Sequence, residues 1–437
     1  MDLSALDISR IQFAFVVTFH IIFPSFTIGL AAWLAVLEWR SQATGNPIYR
    51  RLFDFWLKIF AVSFGMGVVS GIVMAFQFGT NWSVLSERTG PIQGPLLGYE
   101  SFTAFILEAS FLGVVLFGRK RVSPAMYLTA CILVAVGTTL SSFWIMANNS
   151  WMQVPVGHTI DAAGRMIPSD WQAIIAGPVF LTRWIHMLLA AYLTTATVVA
   201  ATGAWYLLKG RHQNTAKAML VWGMALMAVF TPIQMGFGHL AGEIIREHQP
   251  AKFAAVEGRW ESGTRAPLVM LAWPDNAAEK NRFEFSIPVL GSVVDSGNPD
   301  SYQRGIKDIP VDERAPFLVP FYGFRIMVGV GVLMLFIGWY GCWRNIRKNI
   351  EQSPWFLRLT ALSFPIGWIA VLAGWYAAEV GRQPWVVTGL LRTSDAVTPS
   401  LTLSHALISL SLYVVVYLVV YGFGVRYLWN LFNKGPA

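Results

Sequence analysis

The fold is decided by stretches such as residues 11–37, which read IQFAFVVTFHIIFPSFTIGLAAWLAVL. This run carries no Asp, Glu, Lys or Arg, and as a helix it is long enough to cross about 30 Å of hydrocarbon. Similar apolar runs follow at residues 57–78, 100–118, 122–146, 184–208, 218–238, 315–343, 358–378 and 402–424. An open sheet in lipid would leave backbone groups unpaired, so helices are required. The sequence therefore predicts an all-α, polytopic transmembrane helix bundle of about nine spans.

The composition agrees with a membrane location. Hydrophobic residues make up 55% of the chain and charged residues only 13%, about half of the ~25% that is usual in soluble proteins. So few charges cannot cover the water-facing surface of a globule of this size, which excludes a soluble enzyme. The net charge of +8 comes from short Lys and Arg clusters between apolar runs, so no nucleic acid partner is expected. Cys131 and Cys342 leave no plausible disulfide framework or zinc site.

The distribution of basic residues predicts how the spans are oriented. The connections on one side carry 16 Lys and Arg residues, whereas the opposite set, without the long sixth connection, carries 6. Short cytoplasmic loops retain basic residues, so the N-terminus is predicted outside and the C-terminus in the cytoplasm. The first run is too long for a cleaved signal and follows Asp2 and Asp7, so we expect it to be retained.

The sixth connection differs from the others in its length. The sequence divides into helices 1 to 6 in residues 1–242, an extracytoplasmic loop in residues 243–314, and helices 7 to 9 in residues 315–437. The loop holds 21 of the chain's 56 charged residues. Long connections without a role are uncommon, so we expect a flap that faces the substrate, with a flexible tether as the alternative.

Two histidines and a methionine inside the predicted spans are candidate metal ligands. Imidazole and thioether groups are axial ligands of haem iron, and His20, His186 and Met327 supply them. Arg183 and Arg325 precede two of these residues near the outer ends of their helices, where arginine can neutralise haem propionates. His186 and Met327 therefore predict a low-spin haem on the side of the long loop. Taken singly, His20 has the alternative of a neutral imidazole that is hydrogen-bonded to a neighbouring helix, and a lone methionine such as Met327 in an apolar helix nearly always serves packing.

Three carboxylates also lie in or beside the spans. On a regular helix Glu100 and Glu108 fall within roughly 80° of each other and ~12 Å apart along the axis, so they line one face. Acidic groups in series move protons through membranes, and a structural hydrogen bond is the alternative for each. Glu379 lies at the end of the eighth predicted helix. The segment that follows, residues 381–385 (Gly-Arg-Gln-Pro-Trp), ends the helix and supplies rigid, polar and aromatic groups that suit the edge of a cofactor.

Several segments together resemble the catalytic subunit, subunit I, of cytochrome bd-type quinol oxidases. The similarity runs from Ser9 to beyond Trp385, and it is carried by six segments in order. They are Ser9-Arg10-Ile11-Gln12-Phe13 with His20, Phe76-Gln77-Phe78-Gly79-Thr80-Asn81-Trp82, Trp151-Met152-Gln153, Lys252-Phe253-Ala254-Ala255-Val256-Glu257, Phe324-Arg325-Ile326-Met327, and Glu379 with Gly381-Arg382-Gln383-Pro384-Trp385. The long loop lacks an extra stretch, so the chain resembles the short Q-loop type and, within it, the cyanide-insensitive branch.

The resemblance implies three haems. His186 and Met327 would be the axial ligands of a low-spin haem b. His20 would bind the iron of a high-spin haem, taken as haem d, and Glu379 that of a high-spin haem b; the reverse assignment stays open, as does a third haem b in place of haem d. The other residues that the resemblance assigns to cofactor binding are Arg325, Arg382 and Trp375.

The resemblance also implies the reaction and the partners. Quinol would be oxidised at Lys252 and Glu257 in the outer loop, and O2 would be reduced to water beside Glu100. Glu108, with Ser141 as a further candidate, would lie on the route of protons from the cytoplasm, which builds a proton gradient without pumping. A second membrane subunit, and often a small single-span subunit, would join the chain in the lipid bilayer of the bacterial cytoplasmic (inner) membrane.

Two other functional classes share some of these features. A transporter or channel would have many spans and intramembrane carboxyl groups, but no His and Met pair beside arginines. A haem quinol reductase without an oxygen site would need His186 and Met327, and could dispense with His20 and Glu379. The identity of the quinol, ubiquinol or menaquinol, stays open in every case.

Overall fold

The computed structural model describes residues 3–436, apart from the side chains of Ala104 and Phe105, and Asp2 lies outside it. The helices are α1 (Ala5–Ile22), α2 (Pro24–Thr44), α3 (Pro47–Thr80), α4 (Ser83–Tyr99), α5 (Ile106–Phe117), α6 (Pro124–Gln153), α7 (Trp171–Ile175), α8 (Phe180–Leu208), α9 (Gln213–His248), α10 (Pro250–Glu257), α11 (Leu290–Ser296), α12 (Leu318–Ile346), α13 (Pro354–Leu362), α14 (Ile366–Val380) and α15 (Leu403–Lys434). The strands form three antiparallel hairpins, β1 (His158–Ile160) with β2 (Met166–Pro168), β3 (Leu268–Asp275) with β4 (Lys280–Ile287), and β5 (Trp385–Val387) with β6 (Leu391–Arg392).

The helices confirm the predicted membrane bundle. Within residues 3–436, eight helical segments are long and apolar enough to cross a membrane. The bent pair α13 and α14, whose axes meet at 41°, makes a ninth span if it is counted as one. The first span is broken between α1 and α2 because Pro24, which has no N–H to donate, starts a new helix. The orientation of the two termini remains a prediction.

Small residues bring the central helices close together. A Cβ atom on Gly203 of α8 would lie 2.5 Å from the carbonyl oxygen of Ala216, and one on Gly223 of α9 would lie 2.5 Å from that of Ala196. Membrane helices gain little from the hydrophobic effect between them, so such close backbone packing is what holds α8 to α9.

The sixth connection is a folded cap. It was predicted to begin at Glu243, but α9 remains helical to His248, and α12 begins only at Leu318. The indole ring of Trp260 stacks on the ring of Phe317 with 4.0 Å between the centroids, which joins the two ends of the connection. The connection contains α10 before Trp260, and the β3–β4 hairpin and α11 between Trp260 and Phe317, so it has structure of its own. We call residues 249–317 the outer cap.

Candidate functional site

Nearly all of the candidate residues line one cavity inside the bundle. Its volume is about 1590 Å³, larger than the ~300–1,000 Å³ that is usual for a single small-molecule site. The candidates on its wall are His20, Glu100, Glu108, Ser141, Arg183, His186, Lys252, Glu257, Met327, Trp375, Glu379 and Arg382. The helices of both halves of the chain and the outer cap therefore contribute to a single site.

His20 lies in the last turn of α1 and faces α3. Its Nδ1 is 3.0 Å from the hydroxyl oxygen of Ser70, which donates its own proton to the carbonyl of Gly67 at 2.8 Å. These two contacts fit a tautomer of His20 with its proton on Nδ1, in which the lone pair on Nε2 is free to bind a metal. A Cβ atom on Gly71 would lie 3.2 Å from the imidazole ring, so the absence of a side chain at Gly71 leaves space for the ring of His20.

His186 on α8 and Met327 on α12 also pack on glycines of neighbouring helices. A Cβ atom on Gly238 would lie 3.2 Å from the ring of His186, and one on Gly374 would lie 2.6 Å from the sulfur of Met327. The side-chain nitrogen of Gln234 lies 3.2 Å from Nε2 of His186, whereas Nδ1 has no partner among the described residues. A buried imidazole with a free nitrogen and a thioether in the same cavity wall suit the two axial positions of a haem.

Glu379 is held by polar groups at the end of α14. Arg382 donates to one carboxylate oxygen at 2.5 Å, and Asn149 and Gln153 donate to the other at 3.1 and 3.0 Å. Arg183 lies 3.9 Å from the same carboxylate. Two arginines thus face one carboxylate, which leaves this part of the wall positive.

Arg382 retains unused donors in this positive wall. Its Nε and Nη1 atoms are buried and have no hydrogen-bond partner within the described part of the chain. Unpaired guanidinium donors are costly inside a membrane protein, and an anionic group such as a propionate would satisfy them. The residues present therefore fit a haem.

Lys252 links the outer cap to this cluster. Its ammonium group donates to the side-chain oxygens of Gln249, at 2.9 Å, and of Gln153. Burial lowers the pKa of Lys252 well below its usual range, and the neighbouring Arg183 lowers it further. Gln153 contacts both Lys252 and Glu379, a bridging position to which the sequence assigned no role.

Glu257 lies at the end of α10 with its Oε2 atom buried and unpaired among residues 3–436. Burial raises the pKa of Glu257, and the charge of Asp295 raises it further. Asp295 itself forms a buried salt bridge of 2.8 Å with Arg259. A carboxyl group in this state is poised to exchange a proton with a ligand in the cavity.

The predicted haem-binding role of Arg325 is a point where the structure disagrees with the sequence. Arg325 does not line the cavity. Its guanidinium donates to the backbone carbonyls of Val256, Glu257, Val269, Met270 and Phe321, which engages all of its donors. The side chain therefore clamps the outer cap onto α12.

Glu100 and Glu108 share the cavity wall, but through a different geometry from the one predicted. The backbone between them is a π-helix over Glu100–Phe105, so the angle calculated for a regular α-helix does not apply. Ser141 on α6 donates to the carboxylate of Glu100 at 2.9 Å. Glu100, Glu108 and Ser141 therefore provide three oxygen-bearing side chains on one wall.

Comparisons with known proteins agree over the whole chain. The sequence profile described as "Cytochrome bd terminal oxidase subunit I" matches residues 8–436. Cytochrome bd ubiquinol oxidase subunit 1 of Bacillus subtilis (strain 168) is 36% identical, over 96% of this chain and 91% of that protein. Cytochrome bd-II ubiquinol oxidase subunit 1 of Escherichia coli (strain K12) is 32% identical, over 90% and 89%. The structure of the bd oxidase from Geobacillus thermodenitrificans superimposes with a TM-score of 0.92 at 29% identity, and 99% of each chain is covered.

Proposed function

Because this chain belongs to the cytochrome bd terminal oxidase subunit I family, we infer that it is the subunit of a bacterial membrane oxidase that oxidises quinol and reduces O2. It works with haem cofactors and with a partner subunit of the oxidase. The observation that carries this function is the single cavity, which joins the outer cap to the candidate haem ligands. A transporter would have no need of that arrangement.

We propose that His186 and Met327 bind the iron of a low-spin haem b. His20 and Glu379 would each bind the iron of a high-spin haem, one of them haem b and the other haem d or a further haem b. When bound, the haems supply electron transfer and a binding site for O2. The glycines beside His20, His186 and Met327 support this proposal, because they leave each ligand atom room to face the cavity. Trp375 would contact a haem from the cavity wall.

The two arginines beside Glu379 would hold propionates. Arg382 has free buried donors and Arg183 lies in the same positive wall, so anionic groups are stabilised there without help from water. Arg325 is not included in this role, because backbone carbonyls occupy its donors. Lys252, which reaches the same network through Gln153, would link it to the quinol site.

The outer cap would bind the quinol, at Lys252 and Glu257. Oxidation releases two protons and two electrons from each quinol, and the unpaired carboxylate oxygen of Glu257 can accept a proton. On the other side of the cavity, Glu100 and Glu108 would deliver protons from the cytoplasm, with Ser141 as a hydrogen-bond partner. Protons would then leave outside and enter from inside, so turnover builds a gradient without pumping. We also propose that the long connection of this chain is a Q-loop of the short type, and that a small single-span subunit belongs to the oxidase.

The decisive test is the visible spectrum of the dithionite-reduced, purified oxidase, with and without CO. An oxidase gives both a low-spin signal and a signal that changes with CO, whereas a reductase without an oxygen site gives only the first. Met327→Leu should remove the low-spin signal selectively. Met224→Leu is a matched control, because Met224 is fully buried outside the cavity wall. An unchanged low-spin spectrum in Met327→Leu would exclude Met327 as a ligand.

A second experiment tests the outer cap. Glu257→Gln should impair quinol oxidation far more than haem content, since it removes the proton acceptor and keeps the shape of the side chain. Glu261→Gln is the control, because Glu261 is exposed and only pairs with Lys307. Normal quinol turnover in Glu257→Gln would show that the cap does not contain the quinol site.

A further inference from the structure

The β3–β4 hairpin of the outer cap exposes an unusual number of large apolar side chains. Leu271 and Trp273 of β3 and Phe283 and Phe285 of β4 are all exposed, and Phe283 is 92% exposed. The backbone of Phe283 is left-handed, with φ of 51°, a conformation that a bulky residue rarely adopts. An apolar patch of this kind on a protein surface marks a contact with a partner or a membrane.

The hairpin is attached to the beginning of α12. The hydroxyl of Tyr322 donates to the carbonyl of Ala272 at 2.7 Å, and Nε of Arg325 donates to the carbonyl of Met270 at 3.0 Å. The rings of Trp273 and Tyr322 have their centroids 6.4 Å apart. The depth of the hairpin relative to the membrane is therefore set by residues 322–325 of a membrane-spanning helix.

The length of α12 gives that depth. Its 29 residues rise about 43 Å, whereas the hydrocarbon core is about 30 Å thick, so about 7 Å protrudes at each end if the helix is centred. Tyr322 is the fifth residue and Arg325 the eighth, which places them at the hydrocarbon boundary or just inside it. Ile326 and Val328, which follow Arg325 in the same helix, are exposed apolar residues. The hairpin is therefore held at the level at which α12 begins to expose apolar side chains.

We propose that the β3–β4 hairpin lies in the boundary between headgroups and acyl chains, with the side chains of Phe283, Phe285, Leu271 and Trp273 in contact with lipid. Tryptophan and phenylalanine favour this boundary, where an apolar ring and a polar backbone are both accommodated. The sheet has two strands, and carbonyls of β3 accept hydrogen bonds from Tyr322 and Arg325, whereas the outer edge of β4 carries backbone groups that no third strand pairs. Such groups cannot enter the hydrocarbon core, which limits the insertion to the boundary.

The proposal is independent of the quinol site, since it needs only the membrane position of α12. It is tested with the whole oxidase complex in lipid nanodiscs. Cysteine is introduced as Phe283→Cys, or separately as Phe285→Cys, and labelled with a nitroxide. Asp300→Cys, at an exposed polar position of the same cap, is the control. Signal from other cysteines is measured on the unsubstituted complex and subtracted, and the haem spectrum shows that each variant is intact.

The readout is the ratio of collisions of each label with O2, which concentrates in lipid, to collisions with a water-soluble nickel chelate. We expect this ratio to be severalfold higher at positions 283 and 285 than at position 300. A ratio equal to that at position 300 would place the hairpin in water and overturn the proposal. Low collision rates with both reagents would show that a protein surface covers the patch, and would overturn it as well.

Discussion

Replacing Arg325 by lysine should loosen the outer cap and leave the haems in place. Arg325 donates to five backbone carbonyls, whereas a lysine ammonium has only three N–H groups. Four of the five carbonyls belong to the cap and that of Phe321 belongs to α12 itself, so a lysine that spends all three N–H groups on the cap still loses at least one hydrogen bond to it. Such a hydrogen bond is worth about 1.5–3 kcal/mol because the donor is charged. Arg325 is only partly buried, so we take the lower limit, about 1.5 kcal/mol in the free energy that holds the cap closed. That value corresponds to about a tenfold increase in the open population.

The assay is hydrogen exchange of the backbone amides in residues 268–287, measured by mass spectrometry on the purified oxidase. Exchange there should become about tenfold faster in Arg325→Lys, and the low-spin haem spectrum should stay unchanged. Arg344→Lys is the control, since Arg344 donates to a backbone carbonyl at the other end of the same helix. Unchanged exchange together with a lost or shifted low-spin signal would refute the clamp and restore Arg325 as a partner of haem.

Two further substitutions test other parts of the site. Gly374→Ala should weaken the low-spin haem signal of the reduced spectrum, because the added methyl group would lie 2.6 Å from the sulfur of Met327. Overpacking of this kind costs about 1–3 kcal/mol. Gly329→Ala is the control: its methyl group meets open space, so the reduced spectrum should stay unchanged. Asp295→Asn should shift the pH profile of the quinol oxidation rate, so that the fall in rate on the acid side occurs at lower pH. Its negative charge raises the pKa of Glu257, so without it Glu257 stays ionised, and able to accept a proton, at lower pH.

The spans were predictable because hydropathy and helix length depend only on local sequence. The run at residues 11–37 is covered by α1 and α2 together, and the run at residues 402–424 lies in α15 from Leu403 onward. The outer cap was not predictable in the same way, because its charged sequence contains strands and helices that are held by distant contacts. The stack of Trp260 on Phe317, for example, joins residues that are far apart in the chain.

The candidate site was predicted better by chemistry than by position on a helix. His20, His186 and Met327 were selected as metal-binding side chains in apolar surroundings, Glu379 was added by the family resemblance, and all four line one cavity. Arg325, by contrast, lies outside the cavity wall, and backbone carbonyls accept from its guanidinium, which the sequence could not show. Ser70 was missed because a serine in an apolar helix is common, and only the contact with His20 distinguishes it.

The π-helical segment Glu100–Phe105 lets this span change its length without changing the direction of the residues that follow. A π-turn holds one residue more than the α-helical turn that it replaces, and such turns are frequently found at functional sites. Deletion of the extra residue would therefore restore a regular α-helical turn, and Glu108 would keep nearly the same direction about the axis. Deletion of a residue from a regular α-helix would instead rotate every later residue by about 100°. Lineages of this protein should therefore accept the loss of one residue in this segment more readily than in the regular helices on either side of it.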